Sequence, residues 1–284
     1  MTGNCHHTVT LINGRRVPSA KARISVFDNA LLYAEGLFET FLAVDDRVIF
    51  MAEHLDRLFK GAGVIDLNLP VDRRTLERWM LRCITAHPDH IKKLRLTMTS
   101  GESARWAGVQ GEPQVILSAA PHEMPTKPFR LLVSDLRVDE TSVFRRIKTI
   151  SYAIHAAALK RARQLRFDDA LLLNGKSEVA EITSANIFWV KSDRVFTPPL
   201  SAGCLEGVTR SFVLAAAQDL GLDISEQTDI LAGLLSADEV FISSSLKLVL
   251  GVSEIRHRDD RHRFPAGPVT RAIRRYFRKR VLEG

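Results

Sequence analysis

Three groups in the second half of this 284-residue chain have types and an order that point to chemistry. Lys148 sits in Ile-Lys-Thr-Ile-Ser-Tyr, Glu181 opens Glu-Ile-Thr-Ser-Ala-Asn-Ile-Phe, and Gly207-Val-Thr-Arg heads an apolar-periodic run. A lysine amine forms a Schiff base with an aldehyde, a carboxylate holds a heterocyclic nitrogen protonated, and a helix N-terminus binds phosphate. Each feature alone is ordinary, since most lysines are surface residues, strand carboxylates often face water, and capped helices are common. Together, in this order, they are the three groups that a pyridoxal 5'-phosphate site needs.

Neighbouring residues extend the set. Tyr152, four residues after Lys148, can hydrogen-bond a cofactor phenolate oxygen. Glu181 enters an apolar strand pair and so needs a cation, a donor or a metal. No histidine cluster lies near enough in sequence to make it a metal ligand, and no metal is expected. Cys5, His6 and His7 are adjacent, which prevents easy convergence on a tetrahedral ion, and read as a tag-like terminus. Thr209 is the expected N-cap of the helix after Gly207, its hydroxyl and the neighbouring amides facing a phosphate. Ser243-Ser244-Ser245 follows the buried run Glu239-Val-Phe-Ile, where a backbone nest can hold an anion. Arg57, opposite Leu55 and Leu58 on a helix over 54–64, can supply the counter-charge.

The elements that must position these residues follow from periodicity. Thr8 to Val17 reads as a hairpin about Asn13-Gly14, and Gly36 to Ala43 with Arg47 to Phe50 as another. Leu55, Leu58, Phe59 and Ala62 share a helical face, and Arg73 to Ala86 is a second helix. Lys93 to Thr99 and Gln114 to Ala119 alternate as strands. Pro121, Pro125 and Pro128 disfavour regular structure and mark a linker. Beyond it come strands at Phe129–Val138, Ala170–Leu173, Ile187–Val190, Val195–Thr197 and Val240–Ile242, with helices at Ala153–Leu165 and Thr209–Leu220. Without a regular βαβ alternation, the expectation is an α+β chain of two domains. These are an N-terminal domain over 1–120, a linker over 121–128 and a C-terminal cofactor domain over 129–284.

Composition narrows the class. The chain is 45% hydrophobic and 26% charged, as in a soluble globular protein, and no run approaches the roughly 20 apolar residues of a membrane span. No secretory leader is apparent, and three scattered cysteines fit a reducing compartment, so a cytoplasmic location is expected. The net charge of +7 invites a nucleic-acid role. Much of the excess lies in Arg271, Arg274, Arg275, Arg278, Lys279 and Arg280, however. These alternate with Val269, Ile273, Tyr276 and Phe277 as the wet face of an amphipathic helix. No nucleic-acid or membrane partner is expected.

In this order the segments resemble the class IV aminotransferase family, the fold-type IV pyridoxal phosphate enzymes. The resemblance spans nearly the whole chain. Asn13-Gly14, Ile24-Ser-Val-Phe-Asp28, Tyr33-Ala-Glu-Gly36-Leu-Phe38-Glu39-Thr40 and His54-Leu-Asp-Arg57-Leu58 carry it in the first half. Lys148-Thr-Ile-Ser-Tyr152, Glu181-(x)4-Asn186-Ile-Phe188, Phe196-Thr-Pro198, Leu205-Glu-Gly207-Val-Thr209-Arg210 and Ala237 through Ser245 carry it in the second. The resemblance implies a smaller N-terminal and a larger C-terminal domain with the cofactor between them, and a homodimer. It implies that Lys148 carries the cofactor covalently and Glu181 faces its pyridine nitrogen. Arg57, Val208, Thr209, Ser244 and Ser245 would bind the phosphate, with Tyr152 and Asn186 completing the set.

The departures bear on substrate. Asn29-Ala30 stands where the family usually has Arg-Gly, Ala34-Glu35 where it has Gly-Asp, Leu42 where arginine is frequent, Ser151 for asparagine and Ile182 for glycine. Thr40 places a hydroxyl where branched-chain enzymes tend to have glycine, and Ser184 through Trp189 look more like the lyases. The resemblance therefore favours a 4-amino-4-deoxychorismate lyase, with Thr40 and Lys148 as catalytic residues. The alternative is an aminotransferase for branched-chain or D-amino acids with a 2-keto acid acceptor.

Overall fold

Alternating apolar residues build the first sheet. In this computed structural model, which describes residues 7–103 and 109–283, the chain divides into two compact units. Cys5 and His6 of the tag-like terminus lie outside the described residues. The first unit comprises Met1–Glu123 and Ile147–Ser151; the second comprises Met124–Arg146 and Tyr152–Gly284.

The first unit contains β1 (Val9–Ile12), β2 (Arg15–Val17), α1 (Asn29–Tyr33), β3 (Gly36–Val44) and β4 (Arg47–Val48). It continues with α2 (Met51–Val64), α3 (Arg73–Thr85), β5 (Ile91–Glu102) and β6 (Glu112–Pro121). The strands form one sheet in the order β2-β1-β6-β5-β3-β4. Leu37, Phe41 and Ala43 of β3 pack with Leu94, Leu96 and Met98 of β5, beneath Leu55, Leu58 and Ala62 of α2 and Leu76 and Met80 of α3. The period of two along β3 puts Glu39 on this core face and Phe38 and Thr40 on the other. The segment Ile147–Ser151 adds to β3: Leu37 pairs with Thr149, and the Phe38 N–H donates to the Lys148 carbonyl at 2.9 Å. A lysine remote in sequence is thereby fixed to the first sheet.

The second unit contains β7 (Phe129–Val138), α4 (Ala153–Gln164), β8 (Asp169–Asn174), β9 (Val179–Ile182), β10 (Asn186–Lys191) and β11 (Arg194–Thr197). It continues with α5 (Val208–Asp219), β12 (Ile224–Glu226), α6 (Leu231–Leu235), β13 (Glu239–Ser244), β14 (Leu248–His257), β15 (Asp260–Arg263) and α7 (Pro268–Arg278). Its sheet runs β12-β11-β10-β13-β14-β7-β8-β9, with β15 on β14. Leu171, Ile187, Trp189, Val240, Ile242 and Leu250 form one apolar layer, while Leu172, Ala170 and Ala180 pack with Ala158 and Ala162 of α4 on the other. On α7, Val269, Ile273 and Phe277 are buried and Arg271, Arg275 and Arg278 exposed, as its period requires.

Two sequence expectations are corrected. The proline-rich stretch does not begin outside the sheet, because β6 extends to Pro121, opposite Lys92 at the strand end, where a missing N–H is tolerated. Thr209 is not the N-cap of α5; Gly207 is, and Thr209 lies inside the first turn. The strands β9, β12, β14 and β15 and the short α6 add to those read from periodicity. No helix among the described residues is long and apolar enough to cross a membrane.

Candidate active site

A register shift aims the central carboxylate. Leu173 pairs with Val179 but Leu172 pairs with Glu181, so Ala180 is an extra residue in β9. Such a bulge re-aims the side chain beside it. Glu181 is thereby set opposite Leu172, on the side where α4 packs. There its Oε1 accepts from Arg145 Nη2 and from His155 Nε2 (3.1 Å), and its Oε2 accepts from the Leu205 N–H (2.9 Å). Burial pushes this carboxyl up, but the His155 hydrogen bond and the Arg145 charge outweigh it and hold Glu181 below the usual carboxylate range. Three donors thus keep a buried carboxylate ionised, and its four lone-pair positions leave capacity for one more.

Around it the groups are locked to one another. Tyr152 stacks on His155 with ring centroids 4.3 Å apart, and its hydroxyl donates to the Thr183 carbonyl at 2.6 Å. Arg145 Nε donates to the Gly203 carbonyl at 2.9 Å. Asn186 Nδ2 donates to the Leu205 carbonyl at 2.9 Å and so pins the loop that enters α5. Gly207 is required there, because a Cβ would overlap the Asn186 side-chain oxygen. Among the described residues no side chain caps α5, and the buried hydroxyls of Thr209, Ser243 and Ser244 have no hydrogen-bond partner. Since Ser243 pairs with Asn186 across β13 and β10, the uncapped helix end and these hydroxyls are linked through one asparagine.

The first unit holds the remaining residues of the sequence set. Lys148 is half-buried, its Nζ 4.5 Å from the Phe38 ring centroid, and Arg95 Cζ lies 3.9 Å from the same centroid. Thr40 is half-buried on that strand face, across from Arg95. Arg57 reaches the other face, where Nε and Nη2 donate to Glu39 at 2.8 and 2.6 Å, and His54 Nδ1 contacts the same carboxylate at 2.7 Å. Burial pushes Glu39 up, but Arg57 and His54 bring it down to about 2. Burial holds His54 below the ordinary imidazole range.

The amino-transferase class IV family model matches residues 36–255. The chain belongs to that family. Among its relatives, the D-alanine aminotransferase of Bacillus licheniformis is 26% identical over 96% of each chain. The aminodeoxychorismate lyase of Bacillus subtilis is 25% identical over 95% of this chain and 94% of the relative. Among solved structures, the branched-chain aminotransferase of Thermoproteus uzoniensis with norvaline shares 27% identity at a TM-score of 0.90, covering 97% of this chain and 95% of that one. A branched-chain amino acid aminotransferase complexed with N-(5'-phosphopyridoxyl)-L-glutamate shares 25% identity at a TM-score of 0.89, covering 97% and 94%.

This class IV enzyme therefore depends on pyridoxal phosphate, and its own residues fit the group. The unpartnered hydroxyls of Thr209 and Ser244 and the open amides at Val208 and Thr209 suit a phosphate, whose oxygens accept hydrogen bonds. An ionised Glu181 with spare acceptor capacity suits a protonated pyridine nitrogen. Glu181, Tyr152, Asn186, Val208, Thr209, Ser244 and Ser245 belong to the second unit; Lys148, Thr40 and Arg57 belong to the first. Sequence reasoning gave no role to Glu39, His54, Arg145 or His155. Two signals were present: an acid on the apolar face of β3, and His54 one helical turn before Arg57.

Proposed function

We propose that this class IV enzyme is a 4-amino-4-deoxychorismate lyase, converting aminodeoxychorismate to p-aminobenzoate and pyruvate. The observation that carries the proposal is the β3 face. Thr40 offers a hydroxyl on the same strand face as the Phe38 ring, against which the Lys148 ammonium lies, and the frequent arginine two residues on is replaced by buried Leu42. The bound cofactor supplies an electron sink for the substrate carbon that bears nitrogen. Lys148 takes the proton from that carbon, and Glu181 keeps the pyridine nitrogen protonated. Departure of the side chain as enolpyruvate leaves an aromatic amine, and the removed proton completes pyruvate. Nothing else is consumed. Thr40 orients the departing group, and Arg57 contributes to phosphate binding from α2.

The second reading is an aminotransferase for D-amino or branched-chain amino acids, favoured by a similarity to D-alanine aminotransferase as high as that to the lyase. The two differ in stoichiometry. A lyase turns over many times without a keto acid, whereas an aminotransferase stops after one half-reaction. The expected result is p-aminobenzoate from aminodeoxychorismate with no keto acid added, and a Thr40→Val variant slowed more in turnover than in cofactor affinity. Multiple-turnover transamination with no aromatic product would overturn the lyase assignment.

The assembly belongs to the same proposal. Ile24, Val26, Phe27, Leu31 and Leu32 of the first unit are exposed, a cluster of apolar surface that suits a second copy in a homodimer. Free, buried Cys83 and Cys204 support a cytoplasmic setting.

A further inference from the structure

Lys247 has no role in the chemistry above, yet it ties together two parts of the second unit. It lies in the turn after β13, where its N–H donates to the Ser244 carbonyl at 3.2 Å. Its ammonium donates to Ser184 Oγ at 2.9 Å, in the turn between β9 and β10. The hydroxyls of Ser184 and Thr183 both donate to the buried carboxylate of Asp169, and the Thr183 carbonyl receives the Tyr152 hydroxyl. An unbroken chain thus runs from Lys247 through Ser184, Asp169 and Thr183 to Tyr152. At one end stand the unpartnered hydroxyls of Ser243 and Ser244, and at the other the phenol stacked on the partner of Glu181.

We propose that Lys247 is a positioning residue for the cofactor, holding the end of β13 at Ser243 and Ser244 and the turn that follows it in fixed relation to the Thr183 carbonyl that orients Tyr152. The inference rests on Ser244 and Tyr152 being cofactor-binding groups. Asp169 accepts from two hydroxyls and from the Ala170 N–H at 2.7 Å, yet a buried carboxylate is still stabilised by a cation nearby, which the lysine supplies through Ser184. Lys247 faces Asp169 from β8, Arg163 from α4 and, at 5.6 Å, the Phe129 ring. Burial holds its ammonium below the ordinary lysine range, against the opposing pull of Asp169 and with a smaller contribution from Arg163. The cation is therefore lost on the alkaline side earlier than for a surface lysine.

The test is titration of full-length apoprotein with pyridoxal phosphate, followed by fluorescence, for wild type, K247M, K247R, S184A and the K247M/S184A double variant. K247M and S184A are each expected to weaken binding about tenfold, with the double variant no worse than the weaker single. K247R should recover most of the affinity. Wild-type affinity should fall on the alkaline side, and K247M should lack that limb, which a purely structural loss would not remove. Additive effects, or wild-type affinity and pH profile in K247M, would overturn the proposal. S184A, which removes a single hydroxyl, carries the test if K247M does not fold. An S244A variant with wild-type affinity would remove the phosphate assignment and this proposal with it; a weakened S244A beside an unchanged K247M would remove this proposal alone.

Discussion

Replacing Glu181 with glutamine keeps the shape of the side chain and removes its charge. Two costs follow, and they can be separated. The first is structural: Arg145 and His155 lose an ionic partner. Removing one member of a fully buried ion pair costs about 3–5 kcal/mol. The Arg145 side chain is 18% exposed, keeps the Gly203 carbonyl and can still donate to an amide oxygen, so a loss of about 1–2 kcal/mol is expected. The second cost is catalytic. A neutral amide no longer stabilises the protonated pyridine ring, and a loss of about a hundredfold or more in turnover is expected, about 2.7 kcal/mol of transition-state stabilisation. The assay compares turnover at saturating substrate in fully loaded wild-type and Glu181→Gln enzyme, with loading read from the cofactor absorbance and folding from a thermal melt. A properly loaded variant within about threefold of wild type would show that another residue faces the nitrogen.

Other outcomes follow from the first unit. Purified protein should be yellow, borohydride should bleach it, and peptide mapping should find the reduced adduct on Lys148; an adduct on Lys160 or Lys176 would refute that assignment. Glu39 has its pKa depressed from 4.5 to about 2, so its contribution is present above the unfolded value and lost as pH falls through the folded one. The Glu39→Gln variant should therefore be less stable than wild type by about 3 kcal/mol at neutral pH. That gap should close between about pH 4.5 and pH 2, read from denaturant midpoints. A gap independent of pH would show that the carboxylate charge is not what stabilises this cluster.

How much of this was readable in the sequence depends on how local each feature is. The period-two pattern of β3 and the 3.6-residue pattern of α2 are set by nearby residues, and both elements lie where the sequence puts them. The bulge in β9 arises from pairing with β8, so no local pattern announces that Ala180 is the extra residue and that Glu181 turns towards α4. The partners of Glu181 lie 36, 26 and 24 residues away, and only folding selects Arg145 over its neighbour Arg146. Thr209 reads as a cap because threonine usually is one. An anion-binding end is better left open, and the structure puts glycine at the N-cap of α5 with the threonine hydroxyl unpartnered among the described residues. The long β14 does not stand out in the sequence, because Glu254 and Arg256 at its far end break the apolar pattern that begins at Leu248.

The pairing of Ile147–Ser151 with β3 has a consequence for how the molecule is made. During synthesis the first 123 residues emerge before this segment, so Gly36, Leu37 and Phe38 lack their later partner while β7 and the turn before Lys148 are being added. An uncovered strand edge bearing leucine and phenylalanine is a template for association with another nascent chain. Cutting the gene at the boundary between the units would make that transient state permanent. It would also leave the lysine on the fragment that lacks its sheet.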